Sequence, residues 1–366
     1  MKEKMLGKRI AAGIAAIMTA ATLCACDDLD EYDDYSEEDT SEQTVASRSE
    51  EVTEALSDRS SESFNGRGSK LNLDSNGGVS ITRLARDNSA PMGDADTWTV
   101  FVYMCGSDLE SENGLAVDDI EEMANAYTGD NVRFVVQTGG STRWNGYDIS
   151  ADSLQRFEVT GGGVYLVDEV SDADMGQEQT LEDFLRWGVQ NYPADKMGVV
   201  FWNHGGGSIT GVCFDEKNEY DSLSLTDLDK AFTSVFDEMT DKFEFVGFDA
   251  CLMATVETAN VLVPHARYMI ASEETEPGRG WDYTEIGRYL DENPGCTGAQ
   301  VGKVAADSFY DSCAASDEEA GATLSVTDLS KIDKLIVAIN NAAASMNGAS
   351  DDSSNLSGMV RSIRNA

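Results

Sequence analysis

From residue 97 onward, apolar positions come in short runs separated by stretches with helical spacing. WTVFVYM (98–104), VRFVVQT (132–138), GVVFWNH (198–204), FEFVGFDAC (243–251), YMIASEE (268–274) and ATLSVTD (322–328) are rich in β-branched and aromatic residues, which predicts strands. SLQRFEVT (153–160) and VYLVDEV (164–170), on either side of three glycines, predict a hairpin. In LAVDDIEEMANAY (115–127) the residues Leu115, Ile120, Met123 and Ala124 share one helical face. TLEDFLRWGVQNY (180–192) reads as a helix with Thr180 at its N-cap and Glu182 and Asp183 in its first turn. SLTDLDKAFTSVF (224–236), ATVETANVLV (254–263) and LSKIDKLIVAINNAAASM (329–346) complete the expected helices. Strands apolar on both faces, alternating with helices, predict an α/β fold with a parallel sheet covered on both sides. Ligands of such sheets sit beyond the C-terminal strand ends.

Residues 27–93 break this pattern. Asp, Glu, Ser, Asn and Gly dominate there, and such a segment buries too little apolar area to offset its ordering entropy. The expectation is an acidic, Ser-rich disordered tether over 26–93, with packing of SITRLARD (80–87) on the domain as the less favoured alternative, followed by a folded domain over 94–366. Ahead of it, Lys2, Lys4, Lys8 and Arg9 precede the apolar run IAAGIAAIMTAATL (10–23), a signal-peptide pattern too short for a comfortable membrane span. The run ends in LCAC (23–26), which resembles a bacterial lipobox and implies cleavage after residue 25 with lipid on Cys26. The corresponding location is the outer face of the cell membrane, lipid-anchored, with later release left open.

The formal net charge is −41, from 26 basic and 67 acidic side chains, so a nucleic-acid partner is not expected. Without the two cysteines at the signal junction, five remain: Cys105, Cys213, Cys251, Cys296 and Cys313. An odd number leaves at least one thiol unpaired. Histidines are scarcer still, only His204 and His265, so a structural zinc site is not expected.

His204 stands in WNHGGG (202–207), at the mouth of a predicted strand, and Cys251 ends the next one. Neighbouring strands would bring imidazole and thiol together, and an imidazole makes a thiol a better nucleophile. Gly205 can present its N–H to a developing oxyanion without a side chain in the way, and the N–H of Cys251, expected at a helix start, is a second donor. The plainer readings are a small buried cysteine and a structural histidine. Esterases also use an HGGG loop, but they pair it with a G-x-S-x-G elbow that this chain lacks.

WTVFVYMCGSDLES (98–111), VVFWNHGGGSITGVCFDE (199–216), SLTDLDKAF (224–232), FEFVGFDACLMATVETA (243–259) and ASEETEPGRGWDY (271–283) follow one another across most of residues 97–330. Together they resemble the clostripain family of bacterial cysteine peptidases, in the wider group of caspases, gingipains and legumains. The resemblance implies a caspase-like α/β/α sandwich with a mostly parallel central sheet. It implies a catalytic dyad of His204 as general base or ion-pair partner and Cys251 as nucleophile, and no third member is named. Asp249 matches an acidic residue that helps bind a basic side chain, so cleavage after Arg or Lys is implied; the alternative is that Asp249 caps the following helix. EETEPGRGWDY (273–283) looks like a pocket loop, with the parts of Glu276 and Asp282 open and Arg279 placed where it could oppose a basic substrate. Some relatives cut themselves between the His and the Cys after a basic residue, and Lys217 in the polar DEKNEYDS (215–222) suits this better than Lys230 or Lys242.

No cofactor is expected for the chemistry. Calcium dependence, known in the family, stays open, and no EF-hand loop is present. Partners are protein or peptide substrates with basic residues, the membrane only through the lipid, and a monomer is expected. Relatives often continue beyond an ending such as MVRSIRNA, which leaves a missing C-terminal portion open. Two rivals belong to other classes: an inactive cell-surface binding protein of the same fold, and a transpeptidase that would form a new amide.

Overall fold

A computed structural model of the chain describes residues 68–74, 78–85, 90–316 and 321–350. The signal segment, Cys26 and most of the expected tether lie outside the described residues. The first described element is a hairpin, β1 (Ser69–Leu73) and β2 (Val79–Arg83), inside the stretch expected to be tether. Arg83 corrects that expectation. Its guanidinium donates to Asp333 Oδ1 at 2.7 Å, to Ser69 Oγ at 2.6 Å, and to the carbonyl and side-chain oxygens of Asn260 at 2.9 and 2.7 Å. Five donors in a rigid fork make arginine suited to such a clamp.

The main sheet has eight strands. β3 (Trp98–Cys105) is buried along its whole length. It pairs in parallel with β4 (Val132–Gly139) on one side and β7 (Lys196–Trp202) on the other. β10 (Phe243–Asp249) continues beyond β7, and β11 (Ala266–Ala271) beyond β10, both parallel. Three antiparallel strands finish the edges: β5 (Ser153–Thr160) and β6 (Gly163–Ser171) outside β4, and β12 (Ser325–Asp328) outside β11. The chain leaves β3 toward β4, then returns to β3's other side with β7. That reversal is a topological switch point, where open α/β sheets gather their ligands.

Period-two alternation along β3 explains why both faces are covered. Trp98, Val100, Val102 and Met104 enter one core, with residues of α2 (Leu115–Asn125), α7 (Tyr283–Glu292) and α8 (Gly298–Ala314). Phe101 and Tyr103 point the other way and meet Phe184 of α3 (Glu178–Asn191) at 6.2 and 5.9 Å between ring centroids. On that side Phe201 of β7 stacks on Phe248 of β10 at 5.2 Å and touches Phe232 of α5 (Leu225–Ser234). Burying each such ring contributes about 1.5–3 kcal/mol. The result is a three-layer α/β/α arrangement around a mostly parallel sheet, as expected.

Local details differ. Thr180 is not an N-cap: α3 starts earlier, with Gln177 at the cap position, and Thr180 Oγ1 donates to Asp174 O at 2.6 Å. Ser224 does cap α5, in a capping box with Asp227. α6 (Val256–Leu262) begins only after Thr255, whose hydroxyl accepts the Thr258 N–H. Cys251 therefore lies in a turn, not at a helix start, and Asp249 does not cap this helix. Elements without a clear apolar period were not anticipated: α1 (Ser107–Asn113), the single turn α4 (Gly207–Thr210), and the hairpin of β8 (Val212–Asp215) and β9 (Asp221–Leu223). α7 and α8 were missed as well. The last helix, α9 (Ile332–Ser350), follows β12 as expected. No helix among the described residues is long and apolar enough to cross a membrane.

Candidate active site

Three adjacent strands deliver the site. β7 and β10 run parallel with Trp202 opposite Asp249. Continued by two residues, this register brings His204 opposite Cys251. Both strands stop two residues short of these side chains, so imidazole and thiol stand on the loops at the sheet's C-terminal edge. The approach is close: a Cβ on Gly205 would lie 2.1 Å from the Cys251 carbonyl oxygen. Only glycine fits there.

Asn203, 3% exposed, ties the edge together. Its Nδ2 donates to Cys105 O at 2.8 Å, its backbone N–H donates to Asp249 O at 3.3 Å, and its Oδ1 accepts the Phe214 N–H at 2.7 Å. Gly205 forms an antiparallel bridge with Val212. The two hydrogen bonds of that bridge belong to neighbours: Cys213 N–H to His204 O and Gly206 N–H to Gly211 O. The bridge leaves the Gly205 N–H unused, as an oxyanion donor requires.

The chain just beyond β3 adds a residue that the sequence reading did not name. Asp108 Oδ1 lies 3.0 Å from His204 Nε2 and accepts the Ser107 hydroxyl at 2.9 Å. The hydrogen bond from His204 holds the Asp108 carboxyl at about 2, below its usual range. Asp108 is thus an acceptor only, so Nε2 carries the proton and Nδ1 is the basic nitrogen. The signal available was GSD following a predicted strand, but no spacing rule relates it to a histidine 96 residues later.

Three non-glycine residues with positive φ flank these groups: Ser107 at 50°, Cys213 at 64° and Leu252 at 65°. Such conformations cost about 1–3 kcal/mol each and gather at functional sites. Surrounding bonds hold them. Leu252 N–H donates to Glu274 O at 3.0 Å, and Ser141 Oγ donates to Ser107 O at 2.9 Å.

Asp249, 6% exposed, accepts Tyr283 Oη–H at 2.9 Å and Trp281 N–H at 3.3 Å, both on Oδ2. Burial pushes its carboxyl up to about 6, against the lowering effect of those bonds. Glu276 approaches from the loop after β11, and its backbone N–H donates to Cys251 Sγ at 3.2 Å. Burial, and then the charge of Asp249, hold the Glu276 carboxyl well above its ordinary value. Two more acids lie behind: Asp119, raised by burial and bonded to Trp202 Nε1 at 2.5 Å, and Glu122, raised by burial to about 7. Arg279 turns away to Ser312 and Ser316 on and just beyond α8, and Asp282 caps α7. The structure thus joins Asp249 and Glu276, and leaves Arg279 and Asp282 in other roles.

Lys217 occupies a tight turn between β8 and β9. Its ammonium bonds Ala151 O and pairs with Asp172 at 2.6 Å. The adjacent Glu216 accepts the hydroxyls of Ser111 and Thr142, each at 3.1 Å, which ties this turn to α1 and so to Asp108. Among the described residues no group of three or more His, Cys, Asp or Glu is arranged to hold a metal ion. Among the described residues, Cys105, Cys213, Cys251, Cys296 and Cys313 form no disulfide with one another.

The sequence profile of the clostripain family matches residues 102–363, most of the chain. Clostripain of Hathewaya histolytica is 28% identical over 221 residues, which cover 50% of this chain and 40% of that protein. Among solved structures, a secreted C11 cysteine protease from Bacteroides thetaiotaomicron, iotapain, superposes with a TM-score of 0.52 at 22% identity, over 66% of this chain and 69% of that one. An inactive zymogen C11 protease from Parabacteroides distasonis gives 0.50 at 19% identity, over 66% and 64%. At these identities the two structures speak to the fold, which is the caspase-like one expected.

Proposed function

Because the chain belongs to the clostripain family, we propose that it is an extracytoplasmic cysteine endopeptidase that cuts after Arg or Lys. The observation that carries this reading is the β7–β10 register, which, extended by two residues, puts His204 level with Cys251, together with Asp108 Oδ1 at 3.0 Å from His204 Nε2.

As Cys251 Sγ attacks the scissile carbonyl carbon, its proton passes to His204. The oxygen that becomes negative is met by the N–H groups of Gly205 and Cys251, each such donor being worth about 3–4 kcal/mol in the transition state. His204 passes its proton to the departing amine as the C–N bond breaks, leaving a thioester on Cys251. His204 then takes a proton from water, and the resulting attack releases the acid and the thiol. Asp108 keeps Nε2 protonated and stabilises the imidazolium between these steps. Asp249, a carboxylate with one oxygen already satisfied, recognises the basic side chain. No cofactor enters these steps, and calcium is assigned no part in them.

The acidic segment before residue 68 and the lipobox at Cys26 support a lipid-anchored enzyme on the outer face of the membrane, acting as a monomer on protein or peptide substrates. Self-cleavage after Lys217 is the proposed activation step, since the turn it occupies joins β8 to β9 at the edge of the site.

The test is a set of fluorogenic peptides ending in Arg, Lys, Asp or Leu, with and without calcium, beside Cys251→Ala. Release after Arg or Lys that vanishes in the variant is expected. Binding without turnover by the folded, processed wild type would sink the enzyme in favour of a binding protein. Amide formation with an added amine in preference to hydrolysis would point to a transpeptidase.

A further inference from the structure

Ile209 and Tyr220 are 51% and 49% exposed, and both stand on elements bonded to the His204 loop. Ile209 is in α4, the single turn that follows His204 and its glycines. Tyr220 stands just before β9 in the β8–β9 hairpin, where its N–H donates to Asp215 O at 2.8 Å. The Cys213 N–H of β8 donates to His204 O at 3.2 Å, and Ser222 Oγ of β9 donates to Thr210 O at 2.7 Å, so α4 and the hairpin form one unit. The half-buried Phe214 ring lies against the same loop, 3.6 Å from where a Cβ on Gly206 would stand. Tyr220 has a φ of 57°, which a bulky side chain rarely adopts, and the strained backbone turns its ring to solvent instead of the core. Partial burial, then the charges of Asp108, Glu216 and Glu112, hold the Tyr220 phenol above its ordinary value, which puts the ring on the Asp108 side of His204.

We propose that Phe214, Ile209 and Tyr220 form a shelf on the leaving-group side of the site, which receives an apolar side chain on the substrate residue that follows the cleaved bond. This rests on the peptidase reading above and extends it to the other half of the substrate. Asp249 faces the α7 side of the sheet, where Tyr283 bonds it. The hairpin covers the opposite side: Asp215 Oδ2 accepts the Met175 N–H at 2.8 Å, and Met175 O accepts Tyr103 Oη–H at 2.9 Å from the face that meets Phe184. The edge that carries His204 and Cys251 runs between the two. A chain whose basic side chain enters at Asp249 and whose carbonyl reaches Cys251 therefore leaves toward the hairpin. The departing amine takes its proton from His204, whose own carbonyl the hairpin holds. An apolar side chain laid on the shelf leaves water together with the exposed parts of Ile209 and Tyr220, which is favourable.

Self-cleavage after Lys217 leaves the shelf standing. Ile209 and Phe214 precede the cut, and the segment beyond it stays paired with β8 through Asp221 opposite Asp215.

Internally quenched peptides that are identical up to Arg and carry either Leu or Gly next are compared on the processed wild type, Ile209→Ser, Tyr220→Asn and the two substitutions together. Both positions are exposed and asparagine tolerates a positive φ, so the variants fold. The two peptides give the same acyl-enzyme, so the leaving residue is read in kcat/KM. The expected result is a wild-type preference for Leu of about 10-fold that falls to about 3-fold or less in the paired substitution. A merely structural role would lower both peptides equally and keep the ratio. A wild type with no preference, or a preference that survives both substitutions, overturns the shelf and leaves the peptidase reading standing. A wild type inactive on every peptide overturns that reading and the shelf with it. A dimer in light scattering that Tyr220→Asn splits, with the ratio unchanged, assigns the surface to a second copy and overturns the shelf.

Discussion

His204 Nε2 lies 3.0 Å from Asp108 Oδ1, across a gap of 96 residues in sequence. The two come together because β3 and β7 are neighbours, with Met104 opposite Trp202, and both chains turn out at the same edge. What the sequence presents as a pair has in the fold a third side chain, Asp108, and all three stand just beyond the C-terminal ends of adjacent strands.

Asp108→Asn should therefore lower kcat by about 10²-fold or more while leaving KM nearly unchanged, since general acid–base catalysis is worth about that much. The split between kcat and KM separates the role from a structural one: Asn accepts through its carbonyl but does not stabilise an imidazolium, so kcat should fall at a nearly unchanged melting temperature. A much lower melting temperature with an equal loss on every substrate would argue for simple misfolding. The same pair affects stability. The folded Asp108 sits at about 2, below its unfolded value, so its contribution is present above pH ~4 and is lost as pH falls toward 2.

Gly205→Ala tests the close approach of the two loops. The added methyl would meet the Cys251 carbonyl oxygen at 2.1 Å, with Met253 and Ala250 at 3.1 and 3.2 Å. Overpacking of this kind costs about 1–3 kcal/mol, read as a lower melting temperature. Peptide cleavage should fall much further than stability does, because the oxyanion donor shifts. Unchanged activity would remove Gly205 from the site.

Recognition of a basic side chain should depend on pH. Burial raises the Asp249 carboxyl to about 6, so its charge appears as pH rises through that value. kcat/KM for an Arg peptide is expected to climb across this window, with an apparent pKa that belongs to the coupled acids and not to one residue. A citrulline peptide should lack that limb. Stability of the free enzyme moves oppositely: a carboxyl whose folded pKa is raised stabilises at low pH and loses that contribution as pH climbs through about 6. Asp249→Asn should abolish both trends.

Lys217 pairs with Asp172, and this contact holds the side chain that a self-cleavage step would have to move into the pocket. Asp172→Ala should speed the appearance of a cut chain, and Lys217→Ala should prevent it, both followed by mass spectrometry. A cut at the same rate in Lys217→Ala would place the activation site elsewhere.

The apolar runs determined where strands would form, and their alternation with helices determined an α/β sheet, because burial on both faces requires side chains that are apolar in both directions of the pleat. The positions of His204 and Cys251, just past two such runs, were legible for the same reason. Helices with a weak apolar period were not legible: α1 carries SDLESEN, and its place comes from Glu110 and Ser111 bonding to Asn145 and Glu216. Only the tertiary structure brought Asp108 to His204 and Glu276 to Asp249, since those meetings depend on strand order and on how a loop folds back. Local sequence sets the conformation of a segment through sterics and hydrophobic period. Which distant carboxylate it faces is decided by packing across the sheet, where the free energy depends on partners that no single stretch contains.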